Sequence, residues 1–466
     1  MAEDLIISVS GMRGIVGKSL TPVVAAEYGA VFGAFLKENV DTEGARFSVC
    51  VGRDSRVSGP MLASAVAAGL CATGVDVIDL GIVTTPCVGI MVRELGCKGG
   101  IVITASHNPI PYNGIKLMLS NGVAPPVDTA ELIRQRFFAR HYHLVESIQC
   151  GRITSNTQTD QVHIDRVLAI VSAEQIAGKG YRVVLDSING AGARVTKKLL
   201  SALGCKVVAV NDEPTGLFAH EPEPTAVNLT DLCKWVEQEG ADLGLAQDPD
   251  ADRLAIVDEQ GSYIGEEYTL ALAAMHMFAT NGGVAAANLS TSRMIDDIAR
   301  RAGAHVIRTP VGEANVANVM LDHTCVIGGE GNGGVIDLRV GPVRDSLVGI
   351  ALVLQLMAET GKSISQLVQE IGGYSMHKDK FAADSQQARQ IQELAVARFE
   401  DATMNVSDGL RLDFPDGWIH LRTSNTEPVM RRIVEAQDEA TARRYIRAIM
   451  DIRQSVLEPE GTANPA

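Results

Sequence analysis

Apolar and polar positions follow one another in a grammar that occurs three times along the chain. Residues 47–52 form a short apolar run closed by Arg53-Asp54-Ser55, a helical stretch covers 60–73, and Gly74 precedes the strand-like 75–78. The second copy has its strand at 182–185, a turn at 186–192, a helix to Leu203, Gly204, and a strand at 207–210. The third has a strand at 284–289, the turn Ser290-Thr291-Ser292, a helix to Ala302, Gly303, and a strand at 305–307. In each copy Ser, Thr or Asp stands where a helix takes its N-cap, and Gly where it ends left-handed. Strand–helix–strand units of this length form parallel crossovers. The pattern therefore predicts three α/β domains of similar build, with one large doubly wound sheet as the alternative. The last stretch differs: helices are expected at 386–399 and 439–457, and strands at 409–414 and 418–421, a small α+β domain. The expected domains are 1–153, 154–258, 259–372 and 373–466.

Composition narrows the function classes. The chain has 466 residues, too many for a single core of ordinary size. A net charge of −15 repels nucleic-acid backbone and anionic lipid, so nucleic acid is excluded as a general partner and an anionic ligand needs a local basic pocket. No run approaches the roughly 20 apolar residues of a membrane span, and the first residues lack a basic region followed by an apolar stretch. The eight scattered cysteines include no C-x-x-C pair and read as reduced thiols. A cytoplasmic location with no membrane partner is the expectation.

Four loops carry candidate chemistry. In the first, an apolar strand at 101–103 runs into Thr104-Ala105-Ser106-His107-Asn108-Pro109, with Lys116 downstream. It presents either an exposed nucleophilic hydroxyl or a turn stabilised by Ser and Asn, and it lacks the G-x-S-x-G elbow of hydrolases. In the second, Asp248, Asp250 and Asp252 alternate before Arg253. Converging oxygen ligands suit Mg²⁺ or Ca²⁺, and a solvated acidic turn is the plainer alternative. A calcium-loop count fails at its sixth position, where Arg253 replaces Gly, so Mg²⁺ is favoured. The third, Gly328-Gly329-Glu330-Gly331-Asn332-Gly333-Gly334, offers one carboxylate and one amide, as hydroxyl recognition requires, or else a flexible turn. The fourth, Arg422-Thr423-Ser424-Asn425-Thr426-Glu427-Pro428 with Arg431 behind it, makes an oxyanion nest or a capping loop with surface arginines. Arg13, on a glycine-flanked turn, is either a surface charge or a cation reaching into a cleft.

Taken in this order, the four loops resemble those of the α-D-phosphohexomutase family, over residues 8 to about 453. The family's T-A-S-H-N-P stands unchanged at 104–109, its D-x-D-x-D-R at 248–253 and its G-E at 329–330, while R-P-S-G-T-E-P is matched less closely at 422–428. The resemblance implies three related α/β domains with mixed sheets plus a C-terminal α+β domain around a central cleft, each giving one loop to the site. It implies that Ser106 carries a phosphoryl group and that Asp248, Asp250, Asp252 and a phosphoserine oxygen hold Mg²⁺. Lys116 is then the proton-transfer residue, and Arg13, His107 and Arg253 support the transferring group. Glu330 and Asn332 read sugar hydroxyls, while Arg422, Ser424, Asn425, Thr426 and Arg431 grip the distant phosphate. The substrate is a small sugar phosphate, a hexose 1,6-bisphosphate acts as intermediate and activator, and a monomer or homodimer is expected.

Two departures bear on substrate. Thr423 and Asn425 replace the family's usual Pro and Gly, and Asn tolerates the left-handed turn. The sugar loop reads Glu330-Gly331-Asn332, where glucose and mannose members have G-E-M-S and bacterial glucosamine members G-E-Q-S. The E-G-N form resembles the archaeal-type phosphoglucosamine mutase-like branch, so phosphoglucosamine mutase is the expected activity, with phosphoglucomutase/phosphomannomutase the alternative. A Mg²⁺-dependent sugar phosphatase or a non-catalytic sugar-phosphate sensor would use the same loops differently.

Overall fold

The computed structural model describes residues 5–8, 11–39, 46–423 and 428–457. Four separate sheets account for its strands, so the single-sheet alternative fails. In the first, the strands Gly99–Ile103, Ser48–Arg53 and Asp76–Ile82 run parallel in that spatial order, and Tyr112–Leu119 lies antiparallel against Gly99–Ile103. The second sheet repeats this arrangement with Leu243–Gln247, Arg182–Asp186 and Lys206–Val210 parallel and Leu254–Val257 antiparallel. The third repeats it with Ile327–Glu330, Val284–Asn288 and His305–Thr309, and Gly334–Ile336 antiparallel. All three sheets are mixed, as expected.

This topology explains where the chemistry sits. In each unit the loop of interest joins the parallel strand on one side of the βαβ pair to its antiparallel neighbour. Those hairpin turns are 104–111, 248–253 and 331–333. They lie at the carboxyl ends of parallel strands, where open α/β sheets present ligand sites. The fourth sheet is wholly antiparallel, in the order Ser375–Ala382, Val429–Ala436, Gly417–Thr423, Leu410–Phe414, Thr403–Asn405. The helices Ser385–Arg398 and Glu439–Leu457 pack on it.

The cores are distributed unequally. One continuous cluster joins the second and third units, through Leu245, Leu254, Leu270, Leu352 and Val335 among others. The helix Ser346–Thr360 is nearly all apolar because it runs through this shared core. No single helix among the described residues is long and apolar enough to cross a membrane. The first and fourth units have their own clusters. The fourth is tied to the third by polar links, with Arg293 donating to the carbonyls of Phe414 and Gly417.

The first core depends on close approach of the helices Pro22–Asn39 and Gly59–Ala72. A Cβ at Gly69 would lie 2.0 Å from the Ala26 carbonyl oxygen and 2.8 Å from the Ala30 nitrogen. Alanine gains roughly 1 kcal/mol over glycine in helix propensity, but overpacking costs about 1–3 kcal/mol. Because backbone is what must move, the clash wins. Gly69→Ala is expected to lower the urea unfolding midpoint, and a higher midpoint would show that the helices separate freely.

Candidate active site

Ser106 follows the strand Gly99–Ile103 with a backbone φ of 49°, a conformation that costs a non-glycine residue of order 1 kcal/mol or more. The fold holds it there from both sides. Its N–H donates to Thr104 Oγ1 at 2.9 Å, and Thr104 Oγ1 donates to Asp54 Oδ2 at 2.7 Å. Arg56, paired with Asp54 at 3.1 Å, spends its remaining donors on four carbonyls of the loop: Ser106 (2.7 Å), Asn108 (2.6 Å), Pro109 (3.0 Å) and Tyr112 (3.0 Å). Both side chains are buried. A planar fork with fixed donors can clamp a turn in this way, which a lysine cannot.

The Ser106 hydroxyl donates to Asp248 Oδ2 at 2.9 Å and lies 3.3 Å from His107 Nδ1. Burial, and then the neighbouring Arg253 and Arg13, push the His107 imidazole down to about 3, so the ring is neutral. Arg13 reaches the same loop, donating to Asn108 Oδ1 at 2.8 Å. It does so because its strand Gly11–Ile15 pairs with Tyr112–Leu119, placing Arg13 opposite Gly114. Arg13 is therefore held against the Ser106 loop and is not a free surface charge.

Asp248, Asp250 and Asp252 are fully buried, which removes the solvated-turn alternative. Ala251, at φ 55°, bends the chain so that alternate side chains converge, with ligand oxygens all within 4.8 Å of one another. Asp250 Oδ2 accepts from Lys116 Nζ at 2.8 Å and Thr85 Oγ1 at 2.6 Å, and its carbonyl accepts the Thr85 N–H. Burial opposes ionisation of Asp250, but Lys116 and Thr85 outweigh it and hold the carboxyl below its usual range. Burial also opposes ionisation of Asp252, which Arg344 and Lys116 hold low. Burial and its two acidic neighbours push Asp248 up. Burial would lower Lys116, yet Asp250 and Asp252 raise it, so this ammonium is charged. Arg253 stands by Asp252 at 3.9 Å and Glu223 at 3.8 Å.

Whether a divalent cation suits this trio can be judged from its unused atoms. Asp250 Oδ1 and Asp252 Oδ1 are buried with no hydrogen-bond partner. Orphaned carboxylate oxygens beside a third carboxylate are what a hard cation takes. The residues fit Mg²⁺.

The glycine-rich loop around Glu330 and the acidic turn meet through a residue that spacing did not reveal. Arg344 donates to Asp252 Oδ2 and to Glu330 Oε2, both at 2.6 Å, from a buried position. Glu330 Oε1 accepts from Asn288 Nδ2 at 2.7 Å and from the Gly312 N–H at 3.1 Å. Asn332 lies alongside, its Nδ2 3.5 Å from Glu330 Oε2. Beside them Glu313, the first residue of the helix Glu313–His323, accepts the Arg344 N–H at 2.6 Å. Burial pushes its carboxyl up, against the pull of Arg344.

The fourth unit contributes a row of cations. Arg422, Arg431 and Lys380 are direct partners across three adjacent strands. Arg422 Nε pairs with Asp408 at 3.0 Å, and Asp408 Oδ2 also accepts the Val311 N–H of the third unit. Lys378 reaches across to Glu266 (2.6 Å), Glu267 (2.7 Å) and the Gly331 carbonyl (3.2 Å) of the sugar loop. Ser424, Asn425 and Thr426 lie outside the described residues.

Comparison with known proteins bears on the fold and the family. Models for phosphoglucomutase/phosphomannomutase match the whole architecture: alpha/beta/alpha domain I at residues 5–143, domain II at 161–261, domain III at 266–374 and the C-terminal domain at 381–452. The chain belongs to the phosphoglucomutase/phosphomannomutase family. It is a phosphohexomutase, an isomerase that transfers phosphoryl within one sugar framework. It is similar to a "Phosphoglucomutase/phosphomannomutase" of Thermococcus kodakarensis, 38% identical over 96% of this chain and 98% of that one. A "Probable phosphoglucosamine mutase" of Methanopyrus kandleri is 36% identical, with 96% and 98% covered. Among solved structures, a phosphoglucomutase/phosphomannomutase family protein from Burkholderia thailandensis superposes with a TM-score of 0.86 at 28% identity, covering 98% of each chain.

The Arg56 clamp leads to a prediction. Arg56→Lys keeps a charge beside Asp54 but loses the fork across the phosphohexomutase's Ser106 loop. Turnover is expected to fall about 10²-fold with the circular dichroism spectrum unchanged. Parental turnover would mean that the guanidinium serves only to fill space.

Proposed function

We propose that the enzyme stores a phosphoryl group on Ser106 Oγ and exchanges it with a hexose phosphate. The observation that carries this reading is the 2.9 Å contact between the Ser106 hydroxyl and Asp248, beside two orphaned carboxylate oxygens. Asp248, Asp250 and Asp252, with one oxygen of the phosphoserine, would hold Mg²⁺. That ion, when bound, offsets charge on the phosphoryl group as it moves in line.

The chain's own residues do the rest. A sugar hydroxyl oxygen attacks phosphorus and loses its proton to the neutral Lys116 amine. The Ser106 Oγ–P bond breaks with its electron pair staying on Oγ, which takes up a proton from solvent, and a bisphosphorylated sugar forms. In the return transfer the sugar oxygen departs and Lys116, charged in this structure, donates a proton to it. Microscopic reversibility makes the neutral amine the acceptor in the forward direction. Arg13, His107 and Arg253 line the transferring group, and each arginine supplies donors to its oxygens. Glu330 and Asn332 accept and donate to sugar hydroxyls. Arg422 and Arg431, with Ser424, Asn425 and Thr426, take the distant phosphate. After the sugar turns over, its other phosphate returns to Ser106, and a hexose 1,6-bisphosphate serves as activator.

For the sugar itself we favour glucosamine phosphate, with glucose and mannose phosphates as the second reading. The E-G-N sugar loop and the similarity to the Methanopyrus relative support the first, and the Thermococcus relative the second. Action within the cytoplasm belongs to the same proposal.

Two results test it. Intact-mass analysis is expected to find one phosphate on the enzyme, absent from Ser106→Ala together with turnover. An Ala variant that interconverts sugar phosphates at the parental rate would refute the nucleophile. Chelation with EDTA is expected to abolish turnover and Mg²⁺ to restore it, whereas Asp250→Asn should need far more Mg²⁺. Steady release of inorganic phosphate without isomerisation would favour the phosphatase reading instead.

A further inference from the structure

The carboxylates around the sugar loop are not equivalent. Glu330 is answered by a guanidinium at 2.6 Å, an amide at 2.7 Å and a backbone N–H at 3.1 Å, so its charge is already matched. Asp250 and Asp252 face Lys116 and Arg344 and belong to the cation site. Glu313 is different. Its nearest donor is an uncharged one, the Arg344 N–H at 2.6 Å, and the Arg344 Nε stands off at 3.8 Å. Its side chain keeps 22% exposure against 6% for Glu330, so it is the more open of the two carboxylates.

Its position is as informative as its charge. Glu313 follows Gly312, whose N–H binds Glu330, so it is tied to the group that reads sugar hydroxyls. It also lies in the field of Lys116 and Asp252, at the end of the site where phosphoryl transfer is placed. In a hexose whose C1 oxygen is at Lys116 and whose C3 hydroxyl is at Glu330, the C2 substituent falls between the two. Glu313 borders that stretch: it follows Gly312, which bonds Glu330, and it accepts the N–H of Arg344, whose guanidinium bridges Glu330 and Asp252.

We infer that Glu313 is the residue that distinguishes an amino group from a hydroxyl at C2 of the sugar phosphate, in the orientation that presents C1 to Ser106. The inference rests on the glucosamine reading above and adds to it the side chain responsible. A neutral sugar hydroxyl gains one ordinary hydrogen bond from Glu313. A C2 ammonium gains a charge-assisted hydrogen bond with a carboxylate whose paired guanidinium nitrogen, Arg344 Nε, is 3.8 Å away, whereas Glu330 already has one at 2.6 Å. When the sugar turns over, C2 moves away from Glu313, so the discrimination acts on one of the two phosphoryl transfers.

The test compares kcat/KM for glucosamine 1-phosphate and glucose 1-phosphate, with Mg²⁺ and the matching bisphosphate, in the parent enzyme, Glu313→Gln and Glu313→Asp. The ratio of the two constants is independent of how much enzyme is folded. The parent should favour the amino sugar, and Glu313→Gln should lower that ratio about 10- to 100-fold, mainly through the glucosamine substrate. Glu313→Asp, which retains the charge, should keep the amino sugar ahead. A parent that favours glucose overturns the substrate reading. A parent that favours glucosamine, with Glu313→Gln reducing both substrates equally, leaves that reading standing and overturns the role of Glu313.

Discussion

Asp248, Asp250 and Asp252 are buried within one turn, and charge confined in this way must be answered by cations or lost by protonation. The fold answers it from outside the turn. Lys116 arrives from the first unit on the strand Tyr112–Leu119, Thr85 from the helix Thr85–Glu94, and Arg344 from the third unit. Removing one of these cations while the turn stays buried would leave an uncompensated ion at a cost of several kcal/mol. The same contacts that assemble the site therefore hold the first three units around it.

The hairpin topology makes that convergence possible. Each α/β unit turns back on itself at the same place, after a parallel strand and before an antiparallel one. One architectural device, used three times, supplies Ser106, the acidic trio and Glu330 to one region. The shared core of the second and third units keeps the acidic and sugar loops in fixed relation, with the Leu254 N–H bonded to the Gly333 carbonyl at 3.0 Å. The fourth unit has its own core and meets the others through polar groups such as Lys378 and Arg293. Such contacts leave the fourth unit outside the apolar core that the second and third units share.

The sequence made the repeat and the four loops legible because both depend on local order. Apolar runs, caps and glycines mark the βαβ units, and Asp248, Asp250 and Asp252 are neighbours along the chain. In the fourth unit, Ser375–Ala382 and Val429–Ala436 escaped notice. The first lies at the sheet edge and is mostly polar, and the second carries two adjacent arginines. The residues that support the site were hidden for another reason. Arg344 is 92 positions from Asp252, and Arg56 is 50 from Ser106. Neither sits in a motif, and each matters only after folding brings it to its partners. Arg56 did stand close to the Arg53-Asp54-Ser55 turn that closes the first strand, a signal pointing to the correct segment but not to its task.

The central proposal is that Ser106 gives its phosphoryl group to the sugar and takes one back. Enzyme carrying radiolabelled phosphate, mixed in a single turnover with unlabelled hexose 6-phosphate and Mg²⁺, tests it most directly. Label is expected to leave residue 106 and appear in hexose bisphosphate before any appears as inorganic phosphate. Label retained on the protein while isomerisation proceeds, or released straight to water, would contradict the account.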